Sequence, residues 1–120
     1  MLIFTHPSML RHAPPRGHAE RPERLQAVLD GIAHIEAARR EAPFASRDAV
    51  ARVHPARYVD ALEPAFDEAR EAIVQLDPDT YLSSASREAA YRAAGACVAA
   101  VDAVLGGEDD MAFCAVRPPG

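Results

Sequence analysis

The chain has 120 residues, of which 49% are hydrophobic and 26% charged, a soluble globular composition rather than that of a disordered tail. Its formal net charge is −5, and arginine supplies all 13 cations, with no lysine. That balance excludes a basic stripe of the kind that binds nucleic acid directly. No stretch reaches the roughly 18 apolar residues of a membrane span. The start, Met1-Leu2-Ile3-Phe4, has neither the basic flank nor the long apolar run of a signal peptide, so a cytoplasmic location is expected.

Leu2-Ile3-Phe4 is a short apolar run stopped by Pro7 and reads as a buried strand. Residues 5–21, rich in His, Pro, Arg and Gly, read as a long ordered loop without helical period. Pro22 suits the first position of a helix, where its missing N–H costs nothing. Leu25, Val28, Leu29, Ile32 and Ile35 then recur on one face. Arg39-Arg40 would complement the negative end of that helix, and Pro43 would stop it. Ser46 can cap a short helix through Val53. Pro55 opens another, with Tyr58, Val59, Leu62 and Phe66 on one face, and Pro64 would kink or end it. One or two further helical turns are expected within 67–75. Leu76 to Ser84 is a turn-rich loop. Ser84 or Ser86 would cap an alanine-rich helix reaching about Leu105, with Ala90, Ala94, Cys97, Val101, Val104 and Leu105 as its buried stripe. Met111 to Val116 reads as a strand buried on both faces. A strand, several helices and a strand imply an α/β architecture with parallel pairing. In such sheets ligands bind beyond the carboxyl ends of the strands, where residues 117–120 lie.

Chemistry-bearing residues are sparse. The five histidines show no H-x-H, H-x3-H or D-x-H spacing, so none is expected to ligate a metal. His18-Ala19-Glu20 has the H-x-E of zinc deaminases but lacks the downstream P-C-x-x-C. No phosphate-binding glycine loop and no G-x-S-x-G is present. Cys97 and Cys114 lie in apolar runs and read as small hydrophobes rather than as a disulfide or zinc pair. Asp77 and Asp79 alone are turn-formers. Arg24, a cation in the first turn of a helix, is placed against the dipole, and a tertiary partner is one reason for it.

Four blocks in order resemble the histone deacetylase superfamily, which includes bacterial histone-deacetylase-like amidohydrolases and acetylpolyamine amidohydrolases. His12 followed by His18-Ala19-Glu20-Arg21-Pro22-Glu23-Arg24-Leu25 resembles its H…HPERPERL opening. Val53-His54-Pro55-Ala56-Arg57-Tyr58-Val59-Asp60-Ala61-Leu62 resembles VHxxxYVxAL. Asp77-Pro78-Asp79-Thr80-Tyr81-Leu82-Ser83 resembles the DxDTYLS loop, and Ala112 through Gly120 resembles the strand leading into RPPGHHA. Ala19 stands where the family motif has Pro, and Ser84-Ala85 where the loop often has Pro-Gly.

The resemblance implies the N-terminal portion of an arginase/deacetylase-like three-layer α/β/α fold with parallel strands, mostly helical in this segment. On that reading residues 1–120 are a partial domain ending just before the family's His-His pair. The implied reaction is zinc-dependent hydrolysis of an N-acetylated amine, acetyl-lysine or an acetylpolyamine. Zinc is implied for the full-length domain. No catalytic residue and no metal ligand is expected in this chain, and none of it alone is expected to bind zinc. By the same resemblance Asp79 contacts substrate, Arg24 and Gly120 line an internal channel through which acetate leaves, and His18, Glu20 and Arg117 order the loops. The rival expectation is a non-catalytic helical interaction module derived from that fold, self-associating through an exposed sheet edge.

Overall fold

A computed structural model describes residues 1–119. Five strands and five helices alternate: β1 (Leu2–Thr5), α1 (Ser8–Arg11), α2 (Pro22–Gly31), β2 (Ala38–Glu41), α3 (Arg47–Ala51), α4 (Ala56–Glu68), β3 (Val74–Asp77), β4 (Thr80–Leu82), α5 (Ser86–Leu105) and β5 (Ala112–Cys114). The segment is therefore an α/β unit with parallel strands, as expected, and helices hold most of its regular structure.

The main sheet is parallel, ordered β2-β1-β5. β1 is central because it is the apolar strand: Leu2, Ile3 and Phe4 are all buried. Alternation sends Leu2 and Phe4 into the main core with Met9, Leu25 and the alanines of α5. Ile3, fully enclosed, faces the other side. The second strand expected at residues 111–116 is there, but shorter. It is not buried on both faces, since Phe113 is exposed and Ala112 and Cys114 are only half-buried.

The largest departure lies between α2 and α3. The stripe from Leu25 to Ile35 predicts a helix running to Arg39-Arg40, yet α2 ends at Gly31 and those arginines pair with Ile3 and Phe4 in β2. All four β2 residues are exposed. An edge strand without apolar alternation leaves no period to read. The loop at 5–21 contains the single turn of α1. The helix after Pro55 runs through Pro64 to Glu68, and β3 rather than more helix follows. The turn-rich segment Leu76–Ser84 belongs largely to an antiparallel hairpin of β3 and β4. Under it, Phe66, Ala69 and Leu82 form a second small core.

Ser46 caps α3 as expected, accepting a hydrogen bond from the Ala49 N–H at 3.0 Å. Neither Ser84 nor Ser86 caps α5, whose N-cap is Ala85. The buried face of α5 is also not the predicted one. Ala89, Ala93, Ala96, Ala100 and Ala103 are buried, whereas Cys97, Val101 and Leu105 are exposed. Close approach explains the choice. At Gly95 an added Cβ would lie 2.0 Å from the Pro43 carbonyl oxygen, so only a face of small residues lets the helix lie this near the chain after β2. Among the described residues no helix is long and apolar enough to cross a membrane.

Candidate functional site

The chain leaving β1 and the chain leaving β5 meet beyond the carboxyl ends of their strands. Together with α4, α5 and the β3–β4 hairpin they enclose a cleft of about 700 Å³. One wall is apolar, from Val59, Leu62 and Phe66 of α4. The opposite wall carries His12, His18, Glu20 and Arg24, and Asp79 stands at the hairpin tip.

Arg117 organises the base. Its side chain is only 4% exposed and makes a bidentate bond to Glu20, Nε to Oε1 at 2.8 Å and Nη2 to Oε2 at 2.7 Å. Its Nη1 donates to the carbonyls of Met9 and His12. One guanidinium thus ties the exit of β5 to α1 and to the loop that follows. Burial disfavours the Glu20 carboxylate, but the hydrogen bonds and charge of Arg117 outweigh it, helped by His12 and Arg24, and hold its pKa below the ordinary value.

His12 is buried beside this pair. Desolvation is the main force lowering its pKa below 6.5, the Arg117 charge adds to it, and Glu20 offsets part. The balance favours the neutral imidazole over the cation. The Ser86 hydroxyl, which accepts from the Ser83 N–H at 2.6 Å, lies 2.7 Å from His12 Nδ1, within hydrogen-bond distance. On the other side of the ring, Nε2 faces Glu20 Oε2 at 3.5 Å.

His18 sits higher. Its Nδ1 accepts from the Glu20 N–H at 3.1 Å, and its Nε2 lies 3.0 Å from Asp79 Oδ1. Tyr81 meets the ring edge-on at 5.4 Å. Asp79 is 92% exposed, and its N–H donates to Asp77 Oδ1 at 2.8 Å, the turn bond expected of such a pair. That bond holds the Asp77 pKa below its ordinary value.

Arg24 is exposed on the first turn of α2 and has no hydrogen-bond or ion-pair partner among the described residues. It lines both the cleft and a smaller pocket of about 270 Å³, which Leu25, Phe113 and Arg117 also border. The structure therefore brings Arg24, His18, Glu20 and Asp79 to one cleft, while Arg117 borders the smaller pocket and clamps Glu20. Gly120 lies outside the described residues. Ser86 and Tyr81 belong to the same cleft and were not singled out for it in the sequence. Ser86 is 74 residues from its imidazole partner, and no local pattern links them.

The donor chemistry does not fit a metal ion. Among the described residues no three His, Cys, Asp or Glu side chains converge as ligands. Both nitrogens of His12 and of His18 are already engaged. Cys97 and Cys114 are free thiols, and burial, with Cys97 adjacent, pushes Cys114 up to about 11. This cleft can bind and orient a ligand electrostatically.

The histone deacetylase domain model matches residues 18–120. This chain belongs to the histone deacetylase family. Within that family it is 41% identical over 110 residues to a histone deacetylase-like amidohydrolase of Pseudomonas aeruginosa, covering 87% of this chain and 28% of the relative. It is 36% identical to a probable deacetylase of Archaeoglobus fulgidus, covering 98% of this chain and 33% of that protein. The fold superposes on the crystal structure of the HDA15 HD domain with a TM-score of 0.90 at 26% identity, over 100% of this chain and 37% of that one. The chain thus spans about a third of the length of each relative.

Proposed function

We propose that these residues are the N-terminal part of a zinc-dependent deacetylase that hydrolyses an N-acetylated amine, acetyl-lysine or an acetylpolyamine. The observation that carries the reading is the cleft itself. It is apolar along α4, it is lined by Arg24, which has no hydrogen-bond or ion-pair partner among the described residues, and it carries an exposed carboxylate, Asp79, at its mouth. An acylated alkylamine has matching chemistry, with an apolar stem and an N–H donor for a carboxylate. On this reading Asp79 receives substrate N–H groups and Arg24 attracts the acetate product by its charge. Glu20, Arg117 and His18 hold the walls.

Zinc, in such an enzyme, polarises the acetyl carbonyl and acidifies a water. The residues present do not form its site, so the reading assigns this segment to binding and orientation and expects no turnover from the 120-residue chain alone. Cytoplasmic location is part of the same proposal, supported by the free thiols of Cys97 and Cys114. The test is a fluorogenic acetyl-lysine assay on the purified chain, with metal analysis by mass spectrometry. Absence of turnover and of stoichiometric zinc is expected, and chelator-sensitive hydrolysis refutes the assignment. A His-His pair encoded directly after codon 120 would support it.

A second reading is a non-catalytic module that self-associates through its sheet edge. The exposure of Met111 and Phe113 about β5, and of Val101 and Leu105 on α5, favours it. Light scattering after size exclusion separates the two: a discrete, cooperatively melting dimer supports the module.

A further inference from the structure

Asp79 has an awkward position for a recognition group. It sits on a hairpin tip with 92% of its side chain in solvent, where a carboxylate samples several rotamers and ordering it on binding weakens affinity. One group counters this. His18 Nε2 reaches Asp79 Oδ1 across 61 residues of sequence at 3.0 Å.

His18 is itself held on two sides. Its Nδ1 lies 3.1 Å from both the N–H and the carbonyl oxygen of Glu20, and because the Asp79 carboxylate can only accept, Nε2 carries the proton donated to it. Tyr81 packs against its ring at an interplanar angle of 78°. The Glu20 side chain is clamped in turn by buried Arg117. Order thus passes outward from the protein interior, through Glu20 and the imidazole, to the rim. No other side chain donates to the Asp79 carboxylate among the described residues.

We propose that His18 is a positioning residue for Asp79: its imidazole holds Oδ1 at the cleft mouth and leaves Oδ2 to accept an N–H of the bound acetylated amine. The part concerning the ligand rests on the deacetylase reading, and the part concerning the carboxylate does not.

Two variants of the purified chain separate contact from bulk. His18→Gln places an amide nitrogen near the position of Nε2 and can still reach Asp79. His18→Asn ends near the position of Nδ1 and cannot. NMR of the Asp79 carboxyl carbon, the His18 ring nitrogens and the tip amides reads positioning directly. An Nε2–H tautomer is expected in the wild type. The Asp79 signal should move to that of a free aspartate in His18→Asn and return in His18→Gln. An Nδ1–H tautomer, or an unmoved Asp79 signal in His18→Asn, overturns the proposal.

Titration with an Nε-acetyl-lysine peptide then reads the consequence. Loss of one charge-assisted hydrogen bond should weaken binding about tenfold in His18→Asn and leave His18→Gln within about threefold of wild type. Equal affinity of His18→Asn and wild type also overturns it. A wild-type chain that binds no such peptide counts against the deacetylase reading alone, because the carboxyl signal still decides the positioning.

Discussion

Two histidines six residues apart on one loop meet opposite environments. His12 is buried at the base of the cleft, its pKa lowered by desolvation, and enclosed by Ser86, Glu20 and Arg117. His18 stands at the mouth and spends its donor on a carboxylate that is 92% exposed. The difference teaches that an ion pair or polar contact acquires energetic weight from its surroundings rather than from its distance. Glu20–Arg117 at 2.7 Å and His18–Asp79 at 3.0 Å look alike on geometry. The first is desolvated, and breaking it strands a buried guanidinium. The second exchanges readily with water.

The sharpest way to break this contrast is Glu20→Gln. Removing the carboxylate charge leaves Arg117 buried and uncompensated, and should cost about 3–5 kcal/mol in urea unfolding followed by circular dichroism. A loss below about 1 kcal/mol would show that the base is as well hydrated as the rim. Gly95→Ala supplies a packing reference with no charge change. The new methyl meets the Pro43 carbonyl at 2.0 Å, and the helix must move away from it. A loss of about 1–3 kcal/mol is expected from the same measurement.

The pH dependence of stability tests the base in a third way. His12 has a folded pKa below 6.5, so as pH falls through 6.5 the unfolded chain takes up the proton first and the fold loses stability. The loss levels off below the folded pKa. Glu20, also depressed, contributes stability above 4.5 that disappears as pH drops through its lower folded value. The urea midpoint should therefore decline from pH 7 downward, with a slope from His12 of at most about 1.4 kcal/mol per pH unit. In His12→Gln the upper part of that decline should vanish. A midpoint independent of pH between 7 and 5 would place His12 in water. The smallest effect belongs to the rim: Asp79→Asn should change stability by less than about 0.5 kcal/mol in the same assay. A cost comparable to that of Glu20→Gln would erase the distinction between the two sites.

Much of the scaffold was legible because its causes are local. Pro22 at the start of α2, Ser46 capping α3 and the apolar face of α4 each act within a turn or two of helix. The strand at Leu2–Phe4 announces itself by continuous apolarity. β2 was not legible, since Ala38-Arg39-Arg40-Glu41 is all exposed and is a strand only because β1 offers it a partner. The orientation of α5 was misread for a related reason. Periodicity favours burying its valines and leucine, but the distance to the chain at Pro43–Ala45 admits only alanine and glycine.

The order of its motifs was enough to assign this chain to its family and to name Arg24, Asp79, His18, Glu20 and Arg117 as candidates, because short motifs keep their residues at fixed local spacing. Which of them touch was decided by the tertiary structure alone. Arg117 reaches Glu20 over 97 residues, His12 reaches Ser86 over 74, and His18 reaches Asp79 over 61. Contacts of that span depend on where the sheet and α5 set the loops. So do their strengths, because desolvation, which separates the base from the rim, is a property of the packed chain and of no single segment.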